Sequence, residues 1–304
     1  MTPIIRFSRC VVIAVASAMS LLGAVGCKTG PDASAPAAPL PTYDEIAKAH
    51  NARVAQLQRV WSLATISMTW TEESGKKRWE QGNGHLQHEA PMNTALSIGK
   101  LGETLFWVGT DEEQYWIIDL QNGRRAYIGS HDMLTPERVA ELGLAVAPAE
   151  LPMLLGLRPL PLQFARGVPR PTVSAGAPGT AVVTIPQDER TLAYTFDARR
   201  IMPRQISVLD GDGRLLLTSD LRDDNHVTIA GQDAFLPMMA TLIDIRNETD
   251  GASIKITLSQ MSDRKIKPVN FDLSQLVETL GVTEFIDLDA PTQDEVEAGP
   301  GLDL

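Results

Sequence analysis

From Leu63 onward the chain keeps returning to one pattern, short runs in which apolar and polar residues alternate, parted by turn residues. Ala64, Ile66, Met68 and Trp70 alternate with Thr65, Ser67 and Thr69. Successive side chains of a strand point to opposite faces, so such a run is a half-buried β-strand. Further runs follow at 77–88, 93–99, 103–109, 113–119 and 124–128, separated by Gly102, Gly109-Thr110-Asp111 and Asn122-Gly123. Connections this short join antiparallel neighbours, because a parallel crossover needs a dozen or more residues. The alternation returns later, with Leu192, Tyr194 and Phe196 on one face, then Met202, Ile206 and Val208, then Ile254, Ile256 and Leu258. Asp210-Gly211-Asp212-Gly213 reads as a hairpin turn. Phe235 to Arg246 is a further run that leads into a turn at Asn247–Gly251, and Phe271-Asp272-Leu273 a last short edge strand. About twelve short strands with few helices predict a mainly β (α+β) fold built on a single strongly curved antiparallel sheet.

Two stretches depart from this period. Tyr43 to Trp61 has helical spacing, with Ile46, Ala49, Val54, Leu57, Val60 and Trp61 tending to one face, and Thr42 with Glu45 forms a capping box. Between Gly143 and Thr180 fall seven prolines, which exclude long regular elements. Short helices are expected there, one starting at Thr135-Pro136-Glu137 and another in Pro148–Leu157 with an apolar Met153-Leu154-Leu155 surface. Beyond Val282 the chain holds seven acids and no base, the composition of a solvated, disordered tail over 282–304.

The first segment is an address. Arg6 and Arg9 precede an uncharged run from Val11 to Val25, too short to span a bilayer. Leu22-Gly23-Ala24-Val25-Gly26-Cys27 then resembles a bacterial lipobox, in which the cysteine is lipidated and becomes the first residue after cleavage. Lys28 to Pro41, with Pro31, Pro36, Pro39 and Pro41 among small residues, has the composition of an extended tether. The expected organisation is a signal peptide over 1–26, a lipidated Cys27 and tether over 27–41, and one domain over 42–281 with a helical, Pro-rich cover at 131–179. Two acyl chains on Cys27 anchor stably where one would not.

Charge and motifs remove other classes. With 38 acids against 27 bases the formal net charge is −11, which disfavours a phosphate backbone and predicts no nucleic-acid partner. Cys10 and Cys27 lie too early in the chain to build a disulfide framework or a zinc cluster. His85 and His88 fall on opposite faces of a strand with no third ligand, and read as solvent-facing. Asp210-Gly211-Asp212-Gly213 lacks the glycine and glutamate of a calcium loop, where Leu215 and Leu221 stand instead. Gly82 and Gly84 lack the third glycine of a dinucleotide site, Asp111-Glu112-Glu113 reads as a solvated turn, and no nucleophile elbow is present. No catalytic residue, metal or cofactor is expected.

The order of lipobox, tether, helix, strand meander, helical interruption and returning strands resembles the LolA/LolB-type lipoprotein carrier and receptor superfamily. The matching segments are Gly102-Glu103-Thr104-Leu105-Phe106-Trp107 leading into Tyr115-Trp116-Ile117-Ile118-Asp119, then Leu151-Pro152-Met153-Leu154-Leu155-Gly156-Leu157. Met202-Pro203-Arg204-Gln205-Ile206 and Lys255-Ile256-Thr257-Leu258 to Phe271-Asp272-Leu273 continue the match, over roughly 43–275 by pattern. The resemblance implies an unclosed β-barrel whose apolar concave face is covered by an N-terminal helix and short central helices. It implies lipid, or the acyl chains of another lipoprotein, as ligand. Candidate lining residues by parity are Ile66, Met68, Trp70, Trp79, Leu96, Ile98, Phe106 and Trp116, with Met153 and Leu154 from the cover. The competing expectation is that the same residues fill a solid core. Alternation leaves open whether Leu105 and Trp107 or Phe106 and Val108 face inward. The expected place is the cell envelope, lipid-anchored and facing the periplasm. Lys28 after the cysteine favours the outer membrane over the inner. An envelope protein partner, recognised by a regulatory or scaffold lipoprotein of the same fold, is the alternative reading.

Overall fold

The structure is a computed structural model that describes residues 39–71, 75–121, 123–133, 145–187 and 189–290. One compact unit runs from Leu40. Within it the strands are β1 (Arg59–Thr71), β2 (Lys77–Glu89), β3 (Asn93–Lys100), β4 (Glu103–Thr110), β5 (Gln114–Asp119), β6 (Arg125–Ser130), β7 (Thr172–Ala175), β8 (Thr180–Pro186), β9 (Arg190–Asp197), β10 (Met202–Asp210), β11 (Leu215–His226), β12 (Met238–Asn247), β13 (Ser253–Ser262) and β14 (Glu284–Asp287). They form one sheet in the order β14-β6-β5-β4-β3-β2-β1-β13-β12-β11-β10-β9-β8-β7. Two antiparallel meanders are joined where β1 pairs with β13, and β14 and β7 stay unpaired with each other, so the sheet does not close. This is the unclosed half-barrel expected from the sequence.

The two long central strands fix the register. β1 pairs with β2 along its whole length, from Arg59 opposite Glu89 to Thr71 opposite Lys77. Even-numbered positions of β1 (Val60, Ala64, Ile66) enter the main apolar cluster, and Trp61 and Leu63 enter a separate one on the other face. Gly84 is a packing requirement, because a Cβ there would lie 1.8 Å from the Ser97 carbonyl oxygen of β3.

The N-terminal helix spans Tyr43–Val54 and carries the expected capping box, with Thr42 accepting from the Glu45 amide. It ends well before Trp61. Val60 and Trp61 belong to β1, where their β-branched and aromatic side chains bury on opposite faces of a central strand. Phe271-Asp272-Leu273 is not an edge strand. Asp272 caps a C-terminal helix, Leu273–Leu280, by accepting from the Gln275 amide, and Gly281 ends it in the left-handed conformation. Leu273, Leu276, Val277 and Leu280 share one helical face, which packs on Trp116 and Ile118. The segment after Val282 is also more ordered than its acidity suggests, because β14 pairs in parallel with β6 and Glu284 meets Arg125 at 2.7 Å. Residues 291–304, the expected helix at 135–144, and the whole leader with Cys27 lie outside the described residues. Within the expected cover over 131–179, residues 172–175 form β7 at the edge of the sheet.

Candidate functional site

The concave face gathers apolar side chains from both meanders around the N-terminal helix and the segment 145–160. Ile46 and Ala47 of the helix, Ile66, Leu96 and Ile98 of the first meander, and Val183, Phe196, Ile243 and Ile256 of the second all belong to one cluster. The segment 145–160 starts with a 3₁₀ turn at Pro148–Glu150 and a one-turn helix, Leu151–Leu154. Every residue from Leu151 to Leu157 is buried, so this stretch is an apolar plug on the sheet and not an amphipathic surface turn.

Polar contacts fasten the plug at its margin. His50 of the N-terminal helix donates through Nε2 to the Arg158 carbonyl at 3.0 Å, and the Asn51 amide both donates to the Leu160 carbonyl at 2.8 Å and accepts from the Leu160 N–H at 2.7 Å. Arg53 donates to the Gly156 carbonyl and, at 3.1 Å, to the Met238 carbonyl. Ser219 of β11 donates to the Leu154 carbonyl at 2.7 Å. Buried carbonyls left by the irregular plug thus find donors on the helix and the sheet. Burial pulls the Arg53 guanidinium down to about 10, opposed by nearby Asp224, so it remains charged at neutral pH. Burial, and then the charge of Arg53, pulls His50 down to about 4, partly opposed by its bond to Arg158. His50 is therefore neutral, with Tyr194 and Phe196 edge-on to its ring. Sequence reading missed this trio. Its one signal is His50 standing four residues after Ile46, on the buried stripe of the helix.

Of the candidate lining residues, Ile66, Leu96, Ile98, Met153 and Leu154 are buried together in the concave cluster, and Met68, Trp70 and Phe106 pack half-buried against it. Phe106 and Val108 face inward, which resolves the parity of β4, and Trp107 turns to the convex side. Two candidates are elsewhere. Trp79 is 61% exposed, its indole N–H donating to Ser67 Oγ at 2.7 Å on the convex side. Trp116 is fully buried, but with Ile118, Ala126 and Leu276 under the C-terminal helix. Parity failed there because β5 is buried on both faces, and Tyr115 through Ile118 carry no alternation. His88 is corrected too. It lies opposite His85 as expected, but is buried and bonded to Thr94 at 2.9 Å.

At the Met68 end of the concave face a cavity of about 10 Å³ is lined by Met68, Gly82, Ile98 and Phe106, with the Lys100–Glu80 ion pair at its rim. That volume is about the room of one water. An alkyl chain on the part of the face that the plug covers would take the plug's place.

An open antiparallel half-barrel with a plug on its apolar face is the structural class the residues define, and it is the architecture that the sequence resemblance implies. Among solved structures the chain is similar to a LolA superfamily protein from Nitrosomonas europaea, at 13% identity over 76% of this chain and 97% of that one, with a TM-score of 0.48. It is similar to a domain assigned to outer membrane lipoprotein sorting from Vibrio parahaemolyticus, at 14% identity, the same coverage of both chains and a TM-score of 0.49. A DUF1329 family protein from Desulfovibrio piger matches at 10% identity, with the same coverage and a TM-score of 0.49. At these identities and scores the likenesses stand beside the architecture and carry no statement about what the chain binds. No protein-family model matches the sequence, and no curated protein matches it.

Proposed function

We propose that this chain is a non-enzymatic envelope lipoprotein, anchored through Cys27 to the outer membrane and facing the periplasm, that binds lipid or the acyl chains of another lipoprotein on its concave face. The observation that carries the reading is the plug. A continuous apolar surface on the sheet is covered by a segment outside the sheet, fastened at its margin by side chains bonded to its carbonyls. Lifting the plug costs about 1 kcal/mol for each such hydrogen bond and about 1.5–3 kcal/mol for each large apolar side chain it exposes, so the reading requires an alkyl chain that takes the plug's place and keeps the sheet face buried. The surface it leaves, with Ile66, Leu96, Ile98 and the half-buried Met68, Trp70 and Phe106, suits a ligand that needs apolar contact and little polar recognition.

A second reading has its own observation. The concave apolar residues are buried under the plug, and the convex face of β11 and β12 carries a charged ladder in which Arg246 meets Asp220 at 2.9 Å and Arg222 meets Asp244 at 3.6 Å. A covered concave face with a polar convex one suits a regulatory or scaffold lipoprotein that docks a protein partner.

Native mass spectrometry of the gently purified domain, with solvent extraction of anything bound, separates the two. Discrete masses that extract as lipid, and are lost in Met68→Asp or Phe106→Asp, support acyl binding. A bare polypeptide that stays bare after incubation with envelope lipids and acylated peptides rejects it.

A further inference from the structure

In a chain with an excess of acids, the stretch from Leu151 to Gln187 contains no acid, and its charges are Arg158, Arg166 and Arg170. All three side chains are exposed. Among the described residues none of the three has a carboxylate within ion-pair distance, whereas Arg190, Arg204, Arg214, Arg222 and Arg246 all do. The loop that carries them also turns apolar residues to solvent, with Leu162 51% and Val168 44% exposed. Unpaired guanidiniums interleaved with exposed aliphatic side chains match the interfacial layer of a bilayer, where the cations meet phosphates and the aliphatic groups reach the acyl boundary.

The loop's position is as specific as its composition. The Tyr43 hydroxyl donates to the Pro161 carbonyl at 2.6 Å, and the Tyr43 ring packs on Phe164 with centroids 5.8 Å apart. The loop is thus fixed to the first turn of the N-terminal helix, where the chain from Cys27 enters the domain. Asp44 and Glu45 lie in the same turn, and the Glu45 carboxylate is taken up by Thr42 at 2.7 and 2.8 Å. The balance of this side stays positive.

We infer that residues 158–170 form a membrane-docking surface that holds this side of the domain against anionic phospholipid. The orientation rests on the Cys27 anchor proposed above; the charge argument does not. The tether supplies a high local concentration of the surface, and each arginine at an anionic surface adds about fivefold to the bound population.

The test uses the chain that begins at Cys27, whose single cysteine couples to a maleimide lipid and so supplies the anchor chemically. Hydrogen exchange is followed on vesicles of phosphatidylcholine alone and of phosphatidylcholine with phosphatidylglycerol. Amides between 162 and 170 are expected to exchange at least about fivefold more slowly on the anionic vesicles. That protection is expected to fall at high salt and to vanish in Arg158→Gln/Arg166→Gln/Arg170→Gln, with the urea midpoint of the triple variant unchanged. Equal protection on both vesicles overturns the proposal, as does protection that survives the triple substitution. Protection that appears instead at the exposed Leu101 turn or the Phe235 loop also overturns it, because the membrane side is then elsewhere. Acyl capture is read separately, so loss of loop protection with capture intact rejects the docking surface alone, and the reverse rejects the acyl-binding function alone.

Discussion

Acidification should loosen the contact between the N-terminal helix and the plug, through His50. The ring is 0% exposed, its Nε2–H held by the Arg158 carbonyl and its Nδ1 facing Arg53 at 3.4 Å. A second proton would have to sit on Nδ1 against that guanidinium, with the rings of Tyr194 and Phe196 on the remaining side. Burial first, and then Arg53, lower the group from 6.5 to about 4. Between those values the unfolded chain binds a proton that the folded one refuses, so stability rises with pH. It is complete above pH 6.5 and declines as pH falls toward 4. At about 1.4 kcal/mol per unit the loss is about 3 kcal/mol for this residue. His88 is buried against Thr94 and also lowered to about 4 by burial, so it adds a loss of similar size. Urea unfolding at pH 7.5 and 4.5 reads the sum. His50→Gln keeps a donor for the Arg158 carbonyl and removes the titration, and should recover about half of the acid loss. Carboxylates that titrate near the lower pH are common to both proteins and cancel in the difference. Equal acid losses in the wild-type chain and in His50→Gln would refute the reasoning.

Further outcomes follow from the same contacts. Arg53→Met removes two donors from buried carbonyls and a cation from the neighbourhood of Asp224. It should cost about 3 kcal/mol in urea unfolding and speed hydrogen exchange of residues 153–160 before the rest of the sheet. Trp116→Ala should cost about 3–5 kcal/mol by opening a void under the C-terminal helix and leave acyl capture per folded molecule unchanged, because the side chain is on the convex face. Phe106→Asp should do the opposite, abolishing capture in native mass spectrometry at a smaller cost, because its side chain is only half-buried. Gly84→Ala drives a Cβ onto the Ser97 carbonyl and should cost about 3 kcal/mol or more in thermal unfolding, with β2 and β3 forced apart.

Period-two alternation made most of the sheet legible, because it survives wherever one face is buried and the other is wet. β9 and β10 have such faces, with Leu192, Tyr194 and Phe196 or Ile206 and Val208 buried and the residues between them half-exposed, and their inward residues were readable from sequence. The capping box at Thr42 was equally plain, since both of its partners are local. The end of the helix was not local. Gln56 to Trp61 continue an apolar spacing compatible with a helix, and only pairing with Glu89, His88 and Gln87 of β2 makes Arg59, Val60 and Trp61 a strand.

The candidate site was half legible for a related reason. The sheet is covered on both faces at β4 and β5, by the plug on one side and by the C-terminal helix on the other. Where both faces are dry, hydrophobicity no longer distinguishes inside from outside. Trp116 therefore looked like a lining residue of the concave face while belonging to the convex one. The cover that created the ambiguity was written in Leu273, Leu276, Val277 and Leu280, bracketed by Asp272 and Gly281, a helix signal as complete as the one at Thr42. Assigning that helix first would have required an apolar partner for its face. Trp116 would then leave the concave lining, and Phe106 rather than Trp107 would face inward, with Ile66, Met68, Trp70, Leu96 and Ile98 unchanged. The polar trio of His50, Asn51 and Arg53 could not be reached in this way, because its partners are main-chain carbonyls of the plug, and carbonyls leave no mark on a sequence.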